Sequence, residues 1–261
     1  MLTPDQIAQI ADELAEADRT HGMIPRITAR YPDATVEDSY AIQGVWRDRM
    51  IAAGRTLVGR KIGLTSKAMQ QATGITEPDY GVMFDDTVYR SGDEIDASQF
   101  SNVRIEVELA FVLKTPLVGP VCTLEDALAA IDYAVPALEV LNSHIELEGR
   151  TIVDTISDNA AYGAMVLGEV HKTPDEIDLR WVPGVLSRNG EIEETGVAMG
   201  VLGHPATGVA WLANTFARHG ARLEAGEIIL AGSFTRPMWV AAGDEVRADF
   251  GPMGVIECRF V

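Results

Sequence analysis

The feature that most constrains the fold is a change in the character of the chain at Leu57. From there onward, short β-prone runs alternate with Gly, Pro and Asp, and the convincing helix patterns are at 123–131 and after His204. The β-prone runs cover residues 57–65, 104–113, 133–141, 164–167, 181–188, 228–230, 245–250 and 254–261. Many short strands with few helical crossovers predict an α+β fold with a mixed, rolled or barrel-like sheet, because a doubly wound sheet needs more helices.

The first part of the chain carries helix signals instead. Thr3 and Gln6 have the spacing of a capping box at the start of a helix. A second helix begins near Thr35. We therefore expect an N-terminal helical segment at residues 1–56 that packs on a catalytic β-rich domain at 57–261, the two together forming one structural unit.

The charge of the chain limits its partners. With 39 acidic and 21 basic side chains, the formal charge is −18, so no excess of cations exists to neutralise nucleic-acid phosphates. The same charge disfavours an anionic membrane surface, although a local pocket can still attract a small anion. No apolar run is long enough to cross a bilayer, the acidic N-terminus lacks the basic start of a signal peptide, and two cysteines are too few for a disulfide framework. We expect a cytoplasmic protein that binds neither nucleic acid nor membrane.

Three glutamates occupy positions where an acidic side chain needs an explanation. Residues 104–111 alternate strictly between apolar and polar, so Glu106 and Glu108 share one strand face with backbones about 7 Å apart. Spacing alone favours a solvated outer face for this pair. Glu139, by contrast, lies in the continuously apolar run 133–141, which is typical of a strand buried on both faces. A buried carboxylate needs a proton or a cation, and a core Arg or Lys is one alternative.

A divalent cation is the other alternative, provided that the three carboxylates converge. Two carboxylates about 4 Å apart repel each other by roughly 4 kcal/mol at an effective dielectric of 20, and a divalent cation turns that repulsion into attraction. Ligation by oxygen alone favours Mg²⁺, Mn²⁺ or Ca²⁺ over Zn²⁺, which prefers nitrogen and sulfur. Three carboxylates on an octahedral Mg²⁺ would leave about three positions for water or a chelating substrate.

Motifs spread almost end to end along the chain together resemble those of one enzyme family. They are GRKIGLTSKAM at 59–69, EPDYG at 77–81, RIEVELAFVL at 104–113, DTISDNAA at 154–161, GHPA at 203–206, VAWLAN at 209–214 and GSFTRP at 232–237. A Glu-x-Glu strand followed by a glutamate on a later strand is similar to the metal site of the fumarylacetoacetate hydrolase superfamily. The complete set resembles its hydratase and decarboxylase branch, and within that branch the enzymes that hydrate a seven-carbon unsaturated 2-oxo diacid.

The resemblance implies a fold, a cofactor and a reaction. The implied fold is the mixed β roll of this superfamily, and Glu106, Glu108 and Glu139 are the implied ligands of Mg²⁺, with Mn²⁺ as a substitute. In this family the ion holds the 2-oxo acid end of a small anionic substrate. The implied reaction is the addition of water to an unsaturated 2-oxo diacid. A homo-oligomer is also implied, with a decamer built from pentamers as the expected form.

Other activities remain alternatives at this stage. Hydratases of 2-hydroxypentadienoate and 4-oxalocrotonate decarboxylases share the same motifs. A hydrolase that cleaves a C–C bond in an acylpyruvate is an alternative of another class, but the sequence shows no counterpart of the His–Glu pair that the hydrolase branch carries on an N-terminal segment. In a third alternative the chain is a binding module whose glutamates hold a structural cation.

Lys61 is the first candidate catalytic residue outside the three carboxylates. Alternation places it on the same strand face as Gly59 and Gly63, which predicts room for a ligand beside the ammonium. The resemblance favours a place in the active site. There Lys61 would neutralise a substrate carboxylate or, if burial lowers its pKa, transfer protons. The structural alternative is an ion pair between Lys61 and one of the glutamates.

The remaining candidates lie in three polar segments. Asp79 and Tyr80 have a turn-like context, where the structural alternatives are a capping Asp and a packing Tyr. The resemblance suggests that this loop borders the pocket, with Asp79 as a proton relay. Asn159 either hydrogen-bonds substrate or closes a turn. Ser233 and Arg236 follow a predicted strand, and Arg236 would either bind the second carboxylate of a diacid bidentately or form a surface salt bridge.

Overall fold

The computed structural model describes residues 1–66, 70 and 77–261, so the end of the 59–69 motif lies outside the described residues. The helices are α1 (Pro4–Thr20), α2 (Ile27–Arg30), α3 (Val36–Ala52), α4 (Leu124–Ala130), α5 (Ile152–Ser157) and α6 (Thr207–Ala217). The strands are β1 (Leu57–Gly63), β2 (Asp79–Phe84), β3 (Val88–Arg90), β4 (Glu94–Ile95), β5 (Arg104–Leu113), β6 (Ile131–Leu141), β7 (Tyr162–Leu167), β8 (Pro183–Arg188), β9 (Glu191–Val197), β10 (Ile228–Leu230), β11 (Met238–Trp239), β12 (Glu245–Asp249) and β13 (Val255–Phe260).

The long N-terminal helices begin where the sequence predicts. At α1 the Thr3 side chain accepts from the backbone of Gln6, and the Gln6 side chain accepts from the backbone of Thr3. The same reciprocal pair forms at α3 between Thr35 and Asp38. Each box satisfies backbone N–H groups that have no partner inside the helix, which fixes the first residue of the helix.

The strands form two mixed sheets, as predicted. The larger sheet has the order β2-β1-β10-β5-β6-β7-β3, with β11 also paired to β5. Its β1–β10 and β3–β7 pairs are parallel, and its other pairs are antiparallel. The smaller sheet has the order β4-β13-β12-β8-β9. A doubly wound arrangement is therefore excluded for the described chain.

The sequence pattern does not predict the short strands β2, β3, β4, β9 and β11. Asp79 and Tyr80, which are predicted to lie in a turn, instead begin β2, so that prediction is wrong. β2 pairs antiparallel with β1 and places Asp79 opposite Gly63. The pairing partner gives this segment its extended conformation, and local turn signals carry no information about that partner.

The centre of the larger sheet is buried on both faces. On β5 the side chains of Ile105, Val107, Leu109 and Phe111 are fully buried in the main apolar core. The opposite face of β5 belongs to a second apolar cluster, in which Ala110 packs with residues of β6 and β7. The solvated outer face that spacing alone favours for Glu106 and Glu108 is therefore wrong, because that face is covered as well.

The N-terminal helices cover one side of this sheet. Ile10 of α1 and Ile42 and Trp46 of α3 form an apolar cluster with Val82 and Phe84 of β2. The helical segment thus shares buried surface with the strands that follow it. The division of the chain at residue 56 stays a prediction. Across the described ranges, the helices are too short or too polar to span a membrane.

We predict that Ile105, which faces the main apolar core from β5, contributes strongly to the stability of the protein. Ile105 is fully buried, whereas Ile192 on β9 is 68% exposed. Ile105→Ala should lower the free energy of unfolding by about 2–5 kcal/mol, because it removes buried methyl groups and leaves a cavity. The matched change Ile192→Ala should stay within about 0.5 kcal/mol. Urea unfolding of both variants measures the difference, and equal losses would contradict the described core.

Candidate metal centre

Three glutamate side chains meet inside the larger sheet. Glu106 and Glu108 lie on β5 and Glu139 on β6, and one carboxylate oxygen from each lies within 4.8 Å of the others. Their exposed fractions are 9%, 1% and 0%. The sequence led us to expect this convergence, and the structure contains it. Their role as metal ligands stays a prediction.

The register between β5 and β6 produces the convergence. Glu106 pairs with Glu139, and Glu108 pairs with Ala137. Directly opposed residues on an antiparallel pair have Cβ atoms about 4.5–5.5 Å apart, so the carboxyl groups of the first pair have to meet. Because the Ala137 side chain is small, the Glu108 side chain can occupy the space beside it. A shift of the register by one residue would move Glu139 to the other face of the sheet.

Three carboxylate oxygens of the cluster are buried without a hydrogen bond to the described residues. Oε2 of Glu108 accepts a hydrogen bond of 2.8 Å from the Gly232 backbone N–H, but Oε1 of Glu108 and both oxygens of Glu139 are buried without a hydrogen bond. Burial, followed by the charge of Glu139, raises the pKa of Glu106 to about 8, and the same two causes raise the pKa of Glu108 well above its usual range. Buried carboxylates that resist ionisation together and lack hydrogen bonds fit a hard divalent cation.

Lys61 supplies a positive charge beside the cluster. Its Nζ atom lies 3.1 Å from Oε1 of Glu139, as an ion pair without the geometry of a hydrogen bond. Burial lowers the pKa of Lys61, but the charges of Glu139, Asp79, Glu108 and Glu106 outweigh burial, and the net shift is upward. The lowered pKa considered from the sequence is therefore wrong. The raised pKa favours the charged ammonium of Lys61, which can stabilise negative charge beside the cluster.

Asp79 lies next to Lys61 at the edge of the cluster. It is 1% exposed, and both of its carboxylate oxygens are buried without a hydrogen bond. Burial raises the pKa of Asp79, and the charge of Lys61 partly opposes that rise. The raised pKa favours the protonated form of Asp79 relative to an exposed aspartate, which suits the predicted role as a proton relay.

The two glycines beside Lys61 serve packing within the protein. A Cβ at Gly63 would collide with the Asp79 carboxylate and lie 3.3 Å from Nζ of Lys61, and a Cβ at Gly59 would collide with the Ile228 backbone. The prediction that these glycines leave room for a ligand is wrong, because Asp79 and β10 occupy that room. Gly63 instead allows the carboxylate of Asp79 to approach the ammonium of Lys61.

Gly232 is a site residue that the sequence presented only as part of a motif. It follows the short strand β10 with φ +103°, a conformation that favours glycine, and a Cβ there would collide with the Thr65 side chain. Its N–H donates to Glu108. A glycine just after a buried strand is the signal in the sequence, but the carboxylate that it binds becomes apparent only in the tertiary structure.

The four other candidate residues do not hydrogen-bond to the carboxylates of the cluster in the part of the chain that the structure describes. The Tyr80 ring stacks on Tyr40 at 4.5 Å, which corresponds to the packing alternative. The Asn159 amide accepts from the Val82 N–H at 2.7 Å and donates to the Val82 carbonyl at 2.9 Å, so its polar atoms hold β2 in place.

Ser233 and Arg236 lie beyond the short strand β10. The Ser233 hydroxyl donates to the Thr235 carbonyl at 2.9 Å and accepts from the Thr235 N–H at 3.1 Å. The Arg236 side chain is 78% exposed and forms an ion pair of 2.7 Å with Glu194, which corresponds to the surface salt bridge. Roles for these side chains in substrate binding stay predictions, and the observed contacts favour the structural alternatives.

Arg104 is a buried cation near the cluster that sequence reasoning missed. It begins β5 and is 9% exposed, and its Nε atom is buried without a hydrogen bond. Burial, followed by the like charge of Arg150, lowers the pKa of Arg104 to about 10, while the charges of Glu106, Asp158 and Glu139 oppose that shift. The available signal is its position two residues before Glu106, on the same strand face.

The chain is similar to known proteins over nearly its full length. The chain is 53% identical over 258 residues to the 2-oxo-hept-4-ene-1,7-dioate hydratase of Escherichia coli, with 97% of both chains covered. It is 39% identical over 259 residues to the 2-keto-4-pentenoate hydratase of Paraburkholderia xenovorans, with 99% of this chain and 96% of the relative covered. The solved structure of the 4-oxalocrotonate decarboxylase from Pseudomonas putida G7, complexed with magnesium and adipate, matches with a TM-score of 0.97 at 35% identity and covers 100% of this chain and 99% of that one.

The family assignment follows from these matches. Residues 51–261 match the family described as Fumarylacetoacetate (FAA) hydrolase C-terminal. The mixed β fold implied by the resemblance is confirmed by the structural match over the full length of the chain. The chain belongs to the fumarylacetoacetate hydrolase family.

Proposed function

We propose that this chain is a divalent-metal-dependent hydro-lyase that adds water to 2-oxohept-4-ene-1,7-dioate, through its dienol tautomer, to give 4-hydroxy-2-oxoheptanedioate. The pathway would be the catabolism of homoprotocatechuate or 4-hydroxyphenylacetate. The observation that carries this proposal is the cluster of three buried carboxylates with unpartnered oxygens beside a protonated lysine. The 53% identity to the Escherichia coli hydratase over 97% of the chain supports the choice of substrate.

Mg²⁺ is the proposed cofactor, with Mn²⁺ as a substitute. Glu106, Glu108 and Glu139 would hold the ion, since a set of carboxylate oxygens suits a hard cation. A related decarboxylase, 35% identical, has been solved with magnesium. When bound, such an ion supplies Lewis-acid stabilisation of negative charge on the C2 oxygen of a 2-oxo acid.

The residues around the cluster have roles that the chemistry of the substrate requires. The dienol has to become an α,β-unsaturated ketone before water adds to its β-carbon, and both steps place negative charge on the C2 oxygen. The Lys61 ammonium stabilises this charge from beside Glu139. Asp79, whose pKa is raised by burial, takes up or returns a proton at the distal carbons. The apolar packing around β5 and β6 limits access of bulk water to these groups.

A decarboxylase is the second candidate function. The supporting observation is the TM-score of 0.97 with the 4-oxalocrotonate decarboxylase, which extends over the full length of both chains. Loss of CO₂ from the distal end of an unsaturated 2-oxo diacid sends the electron pair of the broken C–C bond through the double bond to the C2 oxygen, so the same cluster would serve it. The two reactions differ in their products, since only decarboxylation releases CO₂.

Product identification tests the proposed reaction. We expect 2-hydroxyhepta-2,4-diene-1,7-dioate, incubated with the enzyme and Mg²⁺, to give 4-hydroxy-2-oxoheptanedioate as the single product in NMR spectra. Loss of the dienol absorbance without CO₂ release would accompany it. Stoichiometric CO₂ would assign the chain to the decarboxylases, and two carbon fragments would assign it to the C–C hydrolases.

Metal removal tests the cofactor. Chelation should abolish turnover, and Mg²⁺ or Mn²⁺ should restore it. Mg²⁺ at about 100 times its Kd should raise the Tm of the metal-free protein by about 5 °C or more, because it binds only the folded state. Glu108→Gln should remove most of that rise. The exposed Glu191 on β9 offers a matched control, and Glu191→Gln should respond to Mg²⁺ like the natural chain. A full response in Glu108→Gln would contradict the proposed ligand set.

Lys61 offers a separate test of the chemistry. Lys61→Met should lower kcat by about 10²–10⁴, since it removes the buried ammonium that stabilises charge and donates protons. The Tm rise caused by Mg²⁺ should persist in this variant because the three carboxylates remain. Lys114 is exposed, and Lys114→Met serves as the control for loss of a lysine charge. Unchanged kcat in Lys61→Met would show that its ion pair with Glu139 is only structural.

The remaining predictions from the sequence concern the oligomeric state, the cellular location and the class of ligand. The homo-oligomer, with a decamer of pentamers as its form, stays a prediction, as does the cytoplasmic location. A small anionic 2-oxo acid as the ligand follows from the proposed function, and the hydratase relatives support it.

A further inference from the structure

Arg104 has buried hydrogen-bonding capacity that the protein leaves unused. Its Nε atom is buried without a partner. The guanidinium donates a hydrogen bond from Nη2 to Oδ1 of Asn102 at 3.2 Å. It lies over the Trp239 ring, with 5.2 Å between Cζ and the ring centroid. A buried N–H group without an acceptor is costly, so the position is suited to an acceptor from outside the chain.

Within the described ranges, Arg104 likewise has no direct ion pair, although the chain carries a formal charge of −18. Among the described residues, Glu139 and Asp158 have other partners, and Glu106, whose charge also acts on Arg104, forms no ion pair with it. Glu139 pairs with Lys61. Asp158 accepts from the Ser143 hydroxyl at 2.8 Å, from the His144 backbone at 2.7 Å and lies 2.9 Å from Nδ1 of the same histidine. The Arg104 guanidinium is therefore available to pair with the carboxylate of a ligand.

Arg150 adds a second cation at the same place. Arg150 is close enough to Arg104 for their like charges to repel each other. Its positive charge also acts on Asp79, where it opposes the rise in pKa. Its Nη1 atom donates to the Ser143 hydroxyl at 2.9 Å, and the described carboxylates form no ion pair with it. Two neighbouring guanidinium groups without a direct ion pair to a described carboxylate make a favourable site for a ligand carboxylate, which accepts bidentate hydrogen bonds from arginine.

The position of Arg104 relates this site to the carboxylate cluster. Arg104, Glu106 and Glu108 are alternate residues of β5 and so share one face. Two residues along a strand advance by about 6.4–6.8 Å, so the Arg104 side chain leaves β5 one alternate position away from Glu106. We propose that Arg104, assisted by Arg150, binds the distal carboxylate of a dicarboxylic 2-oxo acid whose 2-oxo end lies at the cluster. This inference rests on the proposed function, from which it takes the placement of the 2-oxo end.

The assignment replaces the role that the sequence suggested for Arg236. The Arg236 side chain is 78% exposed and already pairs with Glu194, so a substrate carboxylate there would compete with water and with a protein carboxylate. Arg104 is buried and lies on the strand that carries two of the glutamates. Arg104 thereby sets specificity for a diacid over a monoacid. The carboxylate cluster alone cannot provide this specificity.

Two saturated acids of equal length test the proposal without requiring turnover. Titration of the Mg²⁺-loaded protein with 2-oxoheptanedioate and with 2-oxoheptanoate, followed by calorimetry, compares ligands that differ at C7. We expect the natural chain to prefer the diacid by about tenfold or more, as a charge-assisted hydrogen bond provides. Arg104→Met should remove this preference and leave the affinity for the monoacid within about threefold. Arg150→Met, at a less buried position, should reduce the preference in part.

The control variants separate the possible outcomes. Arg259 is an exposed arginine on β13, and Arg259→Met should retain the full diacid preference. A preference that persists in Arg104→Met, or that disappears in Arg236→Met instead, would overturn the assignment, as would a natural chain without any preference. Diacid selectivity lost in Arg104→Met, together with absent hydration of the seven-carbon dienol by the natural chain, would refute the proposed reaction and leave the carboxylate site standing.

Discussion

The structure of the site depends on electrostatic repulsion between buried carboxylates. Glu106, Glu108 and Glu139 lie together in the middle of a packed sheet, where water cannot screen their charges. One lysine offsets part of the repulsion, while burial and then the charge of Glu139 raise the pKa of Glu106 and of Glu108. An arrangement of this kind costs stability in the free protein and becomes favourable when a cation is bound. Under the proposed metal binding, the three acidic residues in this otherwise apolar core would have a functional reason.

The surrounding backbone makes this arrangement possible. The register of β5 against β6 sets Glu106 opposite Glu139. Two glycines then admit groups that a Cβ would exclude, since Gly63 lets Asp79 approach Lys61 and Gly232 lets a backbone N–H reach Glu108. Close packing of backbone and side chains therefore positions the polar groups with little freedom. Pre-positioned groups of this kind suit catalysis, because the charge of a transition state then meets dipoles that need not reorganise.

The sequence predicted much of the fold and part of the site. The alternation of β5, the apolar run around Glu139, the capping box at Thr3 and the helix start near Thr35 are local signals, and the structure contains each feature. Short strands such as β2 escaped prediction because their extended conformation depends on a partner strand. The functional interpretation of Arg236 rested on its residue type in a recognised motif, whereas burial and missing partners distinguish Arg104.

The sequence by itself determined which chemistry is available: three glutamates at strand spacing, a lysine on a glycine-flanked strand, and the motifs of a family. Residue types and their periodicity are properties of the chain, so they can be read without coordinates. The tertiary structure alone decided which of these groups meet, which are buried, and which keep an unused hydrogen bond. Those properties depend on strand register and on contacts between residues far apart in the chain, such as Glu108 with Gly232, and local sequence does not encode them separately.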